Sequence, residues 1–273
     1  MSEFVELRDV SLKYDVSEST RALDGTTMSI KRGQFAAVVG PSGCGKSSLM
    51  KLVTGLRRAT SGTVSVAGNT VNGPLKIVGM AFQNSTLLPW RRLLDNLMLP
   101  LEIVQPHRSR LRAHRAEYVE KARDLLRTVG LAEFETRYPW MLSGGMQQRA
   151  NLCRSLIHEP ELLMLDEPFG ALDAFTREEL WDVLQSIWMT KKFTTILVTH
   201  DLREAAYLAD VIFVMSARPG RIIATHQVDL PRPRNLEMTF DPKFIDIVHK
   251  IRNEIAQVRN EGKVAAFQNL KAV

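Results

Sequence analysis

The eight residues Gly40, Pro41, Ser42, Gly43, Cys44, Gly45, Lys46 and Ser47 fit the pattern G-x-x-x-x-G-K-[ST]. Glycines at that spacing let a backbone curl around phosphate oxygens and aim N–H groups at them. A helix starting at Lys46 would point its positive dipole end at the same anion. Lys46 is then placed to reach the β- and γ-phosphates of a nucleotide, and the Ser47 hydroxyl to ligate Mg²⁺. A second candidate is the pair Asp166-Glu167, which ends the apolar run Leu162-Leu-Met-Leu165. Acids at the carboxyl end of a buried strand lie where open α/β sheets bind ligands. Asp166 would hold Mg²⁺, directly or through water, and Glu167 would orient or deprotonate an attacking water. The third is Leu142-Ser-Gly-Gly-Met-Gln-Gln-Arg149. Its Ser143, Gly144 and Gly145 can open a helix and offer a hydroxyl and bare N–H groups to an anion.

In their order along the chain the three motifs resemble the nucleotide-binding subunits of ATP-binding cassette (ABC) transporters. Leu142–Gln147 resembles the family signature LSGGQ, with Met146 in place of the glutamine and a glutamine following. The resemblance extends over about residues 3 to 225. It implies further site residues. Ser48 belongs to the phosphate-binding set, and Tyr14 resembles the aromatic that stacks on adenine. Gln83 resembles the glutamine that touches Mg²⁺ and the membrane subunit. Asp173, in Pro168-Phe-Gly-Ala-Leu-Asp173, resembles part of the segment linking two active sites. His200 resembles the histidine that senses the γ-phosphate, so Glu167, His200 and Lys46 form the catalytic set. By residue type alone, Tyr14 also suits an edge-strand aromatic, Gln83 a surface residue and His200 a structural histidine.

Elements must hold these residues. Phe35–Val39 reads as a short buried strand leading into the loop, with a helix over Lys46–Thr54 behind it. Phe4, Val5, Leu7 and Val10 mark an early strand. Gly62–Gly68 and Ile77–Phe82 read as strands, and Trp90–His158 as helical, with Tyr118, Ala122, Leu125, Leu126 and Val129 on one face. After Pro160 strands and helices alternate again: Leu162–Leu165, Phe175–Met189, Thr195–Val198, Asp201–Leu208 and Val211–Met215. That alternation predicts an α/β fold with a mainly parallel sheet. With the resemblance, the fold is a P-loop NTPase core of ABC type carrying an N-terminal antiparallel β part. A helical subdomain of about 88–158 is inserted in a cassette over 1–230. Leu230-Pro-Arg-Pro-Arg234 reads as a stiff linker. A closing amphipathic helix follows, with Phe244, Val248, Ile251, Ile255 and Val258 on one face, so that 231–273 forms a linker and helix.

Apolar residues make up 45% of the 273, enough for an ordinary core, and the formal charge is +6. A basic balance suits nucleic acid, an anionic membrane face or nucleotide phosphates alike. The run His107–Arg115 concentrates it, though such runs are most often solvated helix faces. Two distant cysteines, Cys44 and Cys153, suit a reduced compartment and read as loop filler and helix packing. No apolar stretch approaches the ~20 residues of a membrane-spanning helix, so another chain would do the spanning.

The resemblance implies ATP and Mg²⁺ as cofactors and a head-to-tail dimer that sandwiches ATP. It also implies membrane permease subunits, an indirect solute-binding partner and a place on the cytoplasmic face of the plasma membrane. Nucleic acid is not an expected partner. Leu88–Asn96, Ala217–Ile222 and Leu230–Arg234 resemble the nitrate, sulfonate and taurine uptake branch of the importers. The rival reading is a soluble cassette ATPase acting on nucleic acid or ribosomes.

Overall fold

The computed structural model describes residues 3–14, 21–170 and 172–270, and of 259–270 only the helical backbone. The chain begins with β1 (Glu3–Lys13), β2 (Arg21–Lys31), β3 (Phe35–Val39), α1 (Lys46–Val53), β4 (Ser61–Val66) and β5 (Asn69–Thr70). There follow β6 (Val78–Ala81), α2 (Leu93–Ile103), α3 (His107–Arg110), α4 (Arg115–Thr128) and α5 (Gly144–Leu156). The last elements are β7 (Leu162–Asp166), α6 (Ala174–Lys191), β8 (Thr194–Thr199), α7 (Leu202–Leu208), β9 (Val211–Met215), β10 (Ile222–Gln227) and α8 (Pro242–Leu270). Two compact units result, one formed by 1–75 with 196–273 and the other by 76–195.

The first unit holds a four-stranded antiparallel sheet in the order β2-β1-β4-β5. Val5, Leu7 and Val10 of β1 are fully buried, and Val5 and Leu7 stand opposite Ile30 and Met28 of β2. The unit also holds consecutive strands β10, β9, β3 and the end of β8, with β3 and β9 parallel and β10 antiparallel at the edge. All of β3 and β9 is buried, which explains their uninterrupted apolar runs. Strands β2 and β10 lie outside the elements expected from the sequence. In β2 the inward row includes Thr26, fully buried, so the apolar alternation breaks. β10 pairs with β9 at the sheet edge and stays half exposed, so its pattern fades into polar Thr225, His226 and Gln227. Helix α8 packs on α7 and β9, and its Phe244 and Ile251 are buried. Leu230–Arg234, expected as a linker, is instead tied to α7 by the buried Arg234.

The second unit pairs β6 and β7 in parallel, Met80 beside Met164 and Ala81 beside Leu165. Its helices α2, α4 and α5 close around Leu93, Leu97, Leu101, Ala122, Leu126 and Cys153. The expected helical stretch starts later than Trp90, because 88–92 is a loop stitched to α2 by one buried side chain. Asn96 is 0% exposed. Its Oδ1 accepts from the Leu88 backbone N–H at 2.6 Å, and its Nδ2 donates to the carbonyls of Leu88 at 3.1 Å and Arg91 at 3.0 Å. An alanine there would leave those half-buried backbone groups without their partner. Asn96→Ala is therefore expected to cost about 1–3 kcal/mol, seen as a lower urea midpoint at an unchanged slope. An unchanged midpoint would show that the loop does not depend on Asn96.

Candidate functional site

In the first unit the loop Gly40–Gly45 leaves the end of β3 and runs into α1, whose N-cap is Gly45. Gly45 has φ 111°, a conformation side chains avoid, and a Cβ there would lie 2.8 Å from the Ala22 carbonyl. From another side the backbone of Gly220 comes so near that a Cβ on it would meet the Cys44 carbonyl at 2.2 Å. Gly220 is held in turn by its N–H to the Ala22 carbonyl, 2.9 Å, and by the Thr26 hydroxyl on its own carbonyl, 3.0 Å. The loop is thus braced by the start of β2 and by the turn 217–222.

Lys46 is buried, and its Nζ donates to the carbonyls of Gly40 at 2.9 Å and Pro41 at 3.0 Å. Ser42, Gly43 and Ser47 are exposed at the rim, while Ser48 is buried. The Tyr14 hydroxyl lies 3.0 Å from Ser48 Oγ, tying the end of β1 to the first turn of α1. The Arg57 guanidinium sits 4.5 Å over one face of the Tyr14 ring. Cys44 is buried, and burial pushes its thiol above the ordinary range against the pull of the Lys46 ammonium. That suits a filler rather than a nucleophile. His200 follows β8, the sheet neighbour of β3, and is exposed.

In the second unit, the pairing of Ala81 with Leu165 delivers Gln83 and Asp166-Glu167 to one carboxyl edge. Glu167 has φ 46°, a left-handed backbone that costs a residue with a Cβ about 1–2 kcal/mol. A turn closes behind it, the Gly170 N–H reaching the Glu167 carbonyl at 3.2 Å. The Gln83 amide approaches that turn: a Cβ on Gly170 would stand 3.9 Å from its Nε2. The backbone carrying Gln83 is anchored by two polar residues of α5. The Gln148 amide donates to the Gln83 carbonyl, and Asn151 Nδ2 to that of Phe82 at 3.3 Å. Sequence reasoning missed both; the available signal was amides on the inward face of a helix.

Ser143 caps α5, its Oγ accepting from the Met146 N–H at 3.3 Å, with Gly144 and Gly145 as the first helical residues. Asp173 caps α6 in the same way, accepting from the Thr176 N–H at 3.0 Å, a bond that holds its carboxyl below the usual range. The two helix starts are neighbours, since a Cβ on Gly145 would touch Thr176 Cγ2 at 3.4 Å. The first unit therefore gathers Tyr14, the phosphate loop and His200. The second gathers Gln83 with Asp166 and Glu167, and Ser143–Gly145 with Asp173.

Residues 23–170 match the model of the family described as "ABC transporter". The chain belongs to that family. An "Aliphatic sulfonates import ATP-binding protein SsuB" from Bacillus licheniformis is 43% identical over 87% of this ABC chain and 88% of its own length. The protein of that name from Bacillus subtilis is 42% identical over 95% of this chain and 96% of its own. Among solved structures, the ATP-binding cassette MJ0796, as a dimer in a post-hydrolysis state bound to ADP and Pi, superposes with a TM-score of 0.70. It is 28% identical over 83% of this chain and 100% of that one. The chain is thus an ABC cassette of the expected α/β class, an ATP-binding ATPase of transport systems.

The left-handed backbone at Glu167 yields a test that needs no activity assay. Glu167→Gly relieves the steric cost and is expected to stabilise the fold by about 1 kcal/mol, whereas Glu167→Gln keeps the Cβ and leaves stability within about 0.5 kcal/mol. Urea unfolding of the two variants beside wild type measures this. A glycine variant less stable than wild type would show that no strain is stored there.

Proposed function

We propose that this chain energises an importer for aliphatic sulfonates or closely related small anions. The observation that carries this reading is near full-length similarity to proteins named for aliphatic sulfonate import. Among the described residues no helix is long and apolar enough to cross a membrane, so separate permease subunits would form the pathway. A solute-binding protein would select the cargo, and the cassette would sit on the permease at the cytoplasmic face.

The proposed chemistry follows from the residues. Backbone N–H groups of Gly40–Gly45, the start of α1 and the Lys46 ammonium would bind the β- and γ-phosphates. The Ser47 hydroxyl, the Asp166 carboxylate and the Gln83 amide oxygen are hard donors of the kind Mg²⁺ takes. When bound, Mg²⁺ would neutralise charge on the phosphates. Glu167 would orient the attacking water and accept its proton, and His200 would contact the γ-phosphate. Adenine would stack on the face of Tyr14 opposite Arg57. Two copies would pair head to tail, Ser143, Gly144 and Gly145 of each covering the ATP of the other, with Asp173 near the join. Closure would exclude water and aim N–H donors at the γ-phosphate, and its loss on hydrolysis would let the pair open.

The test is uptake into proteoliposomes holding the chain with its permease and binding protein. A short alkanesulfonate, taurine and nitrate are compared. ATP-dependent uptake of the sulfonate is expected, and Lys46→Ala should abolish it. Uptake of none of the three, by a complex that hydrolyses ATP, would overturn the assignment of cargo.

A further inference from the structure

The segment Leu230–Arg234 has a defined place in the first unit. Arg234 is 2% exposed and lies at the end of α7. Its Nη1 donates to the carbonyls of Ala206 at 3.1 Å, Tyr207 at 2.9 Å and Ala209 at 2.7 Å. Its Nη2 donates to those of Val228 at 3.3 Å and Leu230 at 3.4 Å. The last carbonyls of a helix have no partner within it, and a cation there also meets the negative end of the dipole. Burial pulls the guanidinium down to about 10, so it keeps its charge at neutral pH. The Tyr207 hydroxyl returns a bond to the Arg234 carbonyl at 2.7 Å. Beside it, Arg232 pairs at 2.7 Å with Asp210, whose other oxygen accepts the Phe35 N–H at the start of β3. Further on, Thr239 accepts from Arg203 of α7 at 3.2 Å.

The other end of α7 is fixed just after His200. Asp201 caps it, accepting from the N–H groups of Arg203 at 2.9 Å and Glu204 at 3.2 Å. Thr199 Oγ1 donates to the buried Glu204 carboxylate at 3.0 Å and accepts from the Asp201 N–H at 3.0 Å. His200 thus lies between Thr199, the last residue of β8, and Asp201, both hydrogen-bonded to Glu204 in the first turn of α7. Seven residues make too short a helix to persist on their own. Its pose is set by the burial of Ala205, Ala206, Tyr207 and Leu208 against β3 and α8 together with what grips its ends.

We propose that the strap Leu230–Arg234 positions the His200 turn for ATP hydrolysis by locking α7 from its C-terminal end, with Arg234 as the positioning residue. The inference rests on the reading of His200 as the γ-phosphate contact. It gives the segment after β10 a positioning role in hydrolysis, through α7 rather than through the phosphate loop. Loosening the strap lets α7 shift, and His200 with it, while the phosphate loop that binds ATP is untouched.

The experiment uses the full chain and four variants: Arg234→Lys, Tyr207→Phe, His200→Ala and the double variant His200→Ala/Arg234→Lys. MgATP hydrolysis gives kcat and KM, and thermal melting shows each is folded at the assay temperature. Arg234→Lys is expected to lower kcat about tenfold with KM within about twofold, inside the range that small misplacements of a catalytic group cost. Tyr207→Phe should move kcat in the same direction by less, and it carries the test alone if the lysine variant does not fold. The double variant should be no slower than His200→Ala, because the strap acts through that histidine. Folded strap variants with wild-type kcat, beside a slow His200→Ala, would overturn the strap and leave the reading of His200 standing. So would a double variant slowed by the product of the two single effects. A wild-type rate for His200→Ala would instead remove the role given to His200, and the inference with it.

Discussion

Neutral peptide groups can hold a polyphosphate only where several N–H bonds converge, and convergence needs a turn that no side chain obstructs. The loop Gly40–Gly45 meets that need through its neighbours as much as through its own residues. Gly45 adopts φ 111° beneath the Ala22 carbonyl, and Gly220 presses its bare backbone toward Cys44. Lys46 is drawn inward onto the carbonyls of Gly40 and Pro41, so its ammonium lies within the curl. Strand β3, completely buried, supplies the rigid base from which the loop departs. A side chain at either glycine would displace backbone rather than a flexible tip, and the whole anion site would shift with it.

Glu167, the proposed general base, sits on other elements with a different logic. Glu167 stands in a left-handed turn at the end of β7, where a glycine would be more comfortable. Strain of this kind persists only when the surroundings over-determine it, and it clusters at working sites. The parallel pairing of β6 with β7 and the turn to Gly170 provide that determination, while Gln148 and Asn151 secure the backbone near Gln83. In the proposed mechanism, ATP binding by the loop and activation of water by Glu167 fall on residues that can be altered one at a time.

Much of this was legible in the sequence because the decisive elements are local. A buried five-residue run followed by a glycine loop, or by two acids, announces itself, and β3, α1 and β7 lie where the pattern put them. What stayed hidden depends on partners far along the chain. Thr26 reads as an interruption of β2 until its bond to Gly220, 194 residues away, is seen. Asn96, Gln148 and Arg234 are polar residues that composition assigns to the surface, yet each is buried against backbone groups of another segment. At 230–234 proline spacing describes stiffness, but the place of Arg234 is fixed by the carbonyls it finds.

In the proposed mechanism the phosphate loop binds ATP while Glu167 activates the attacking water. This division is tested most directly by measuring ATP affinity and phosphate release on the same preparation of Glu167→Gln. The expected result is an ATP Kd within about twofold of wild type and phosphate release slowed about 10²–10⁴-fold, the usual loss on removing a positioned general base. A variant that binds ATP normally and releases phosphate at the wild-type rate would contradict it.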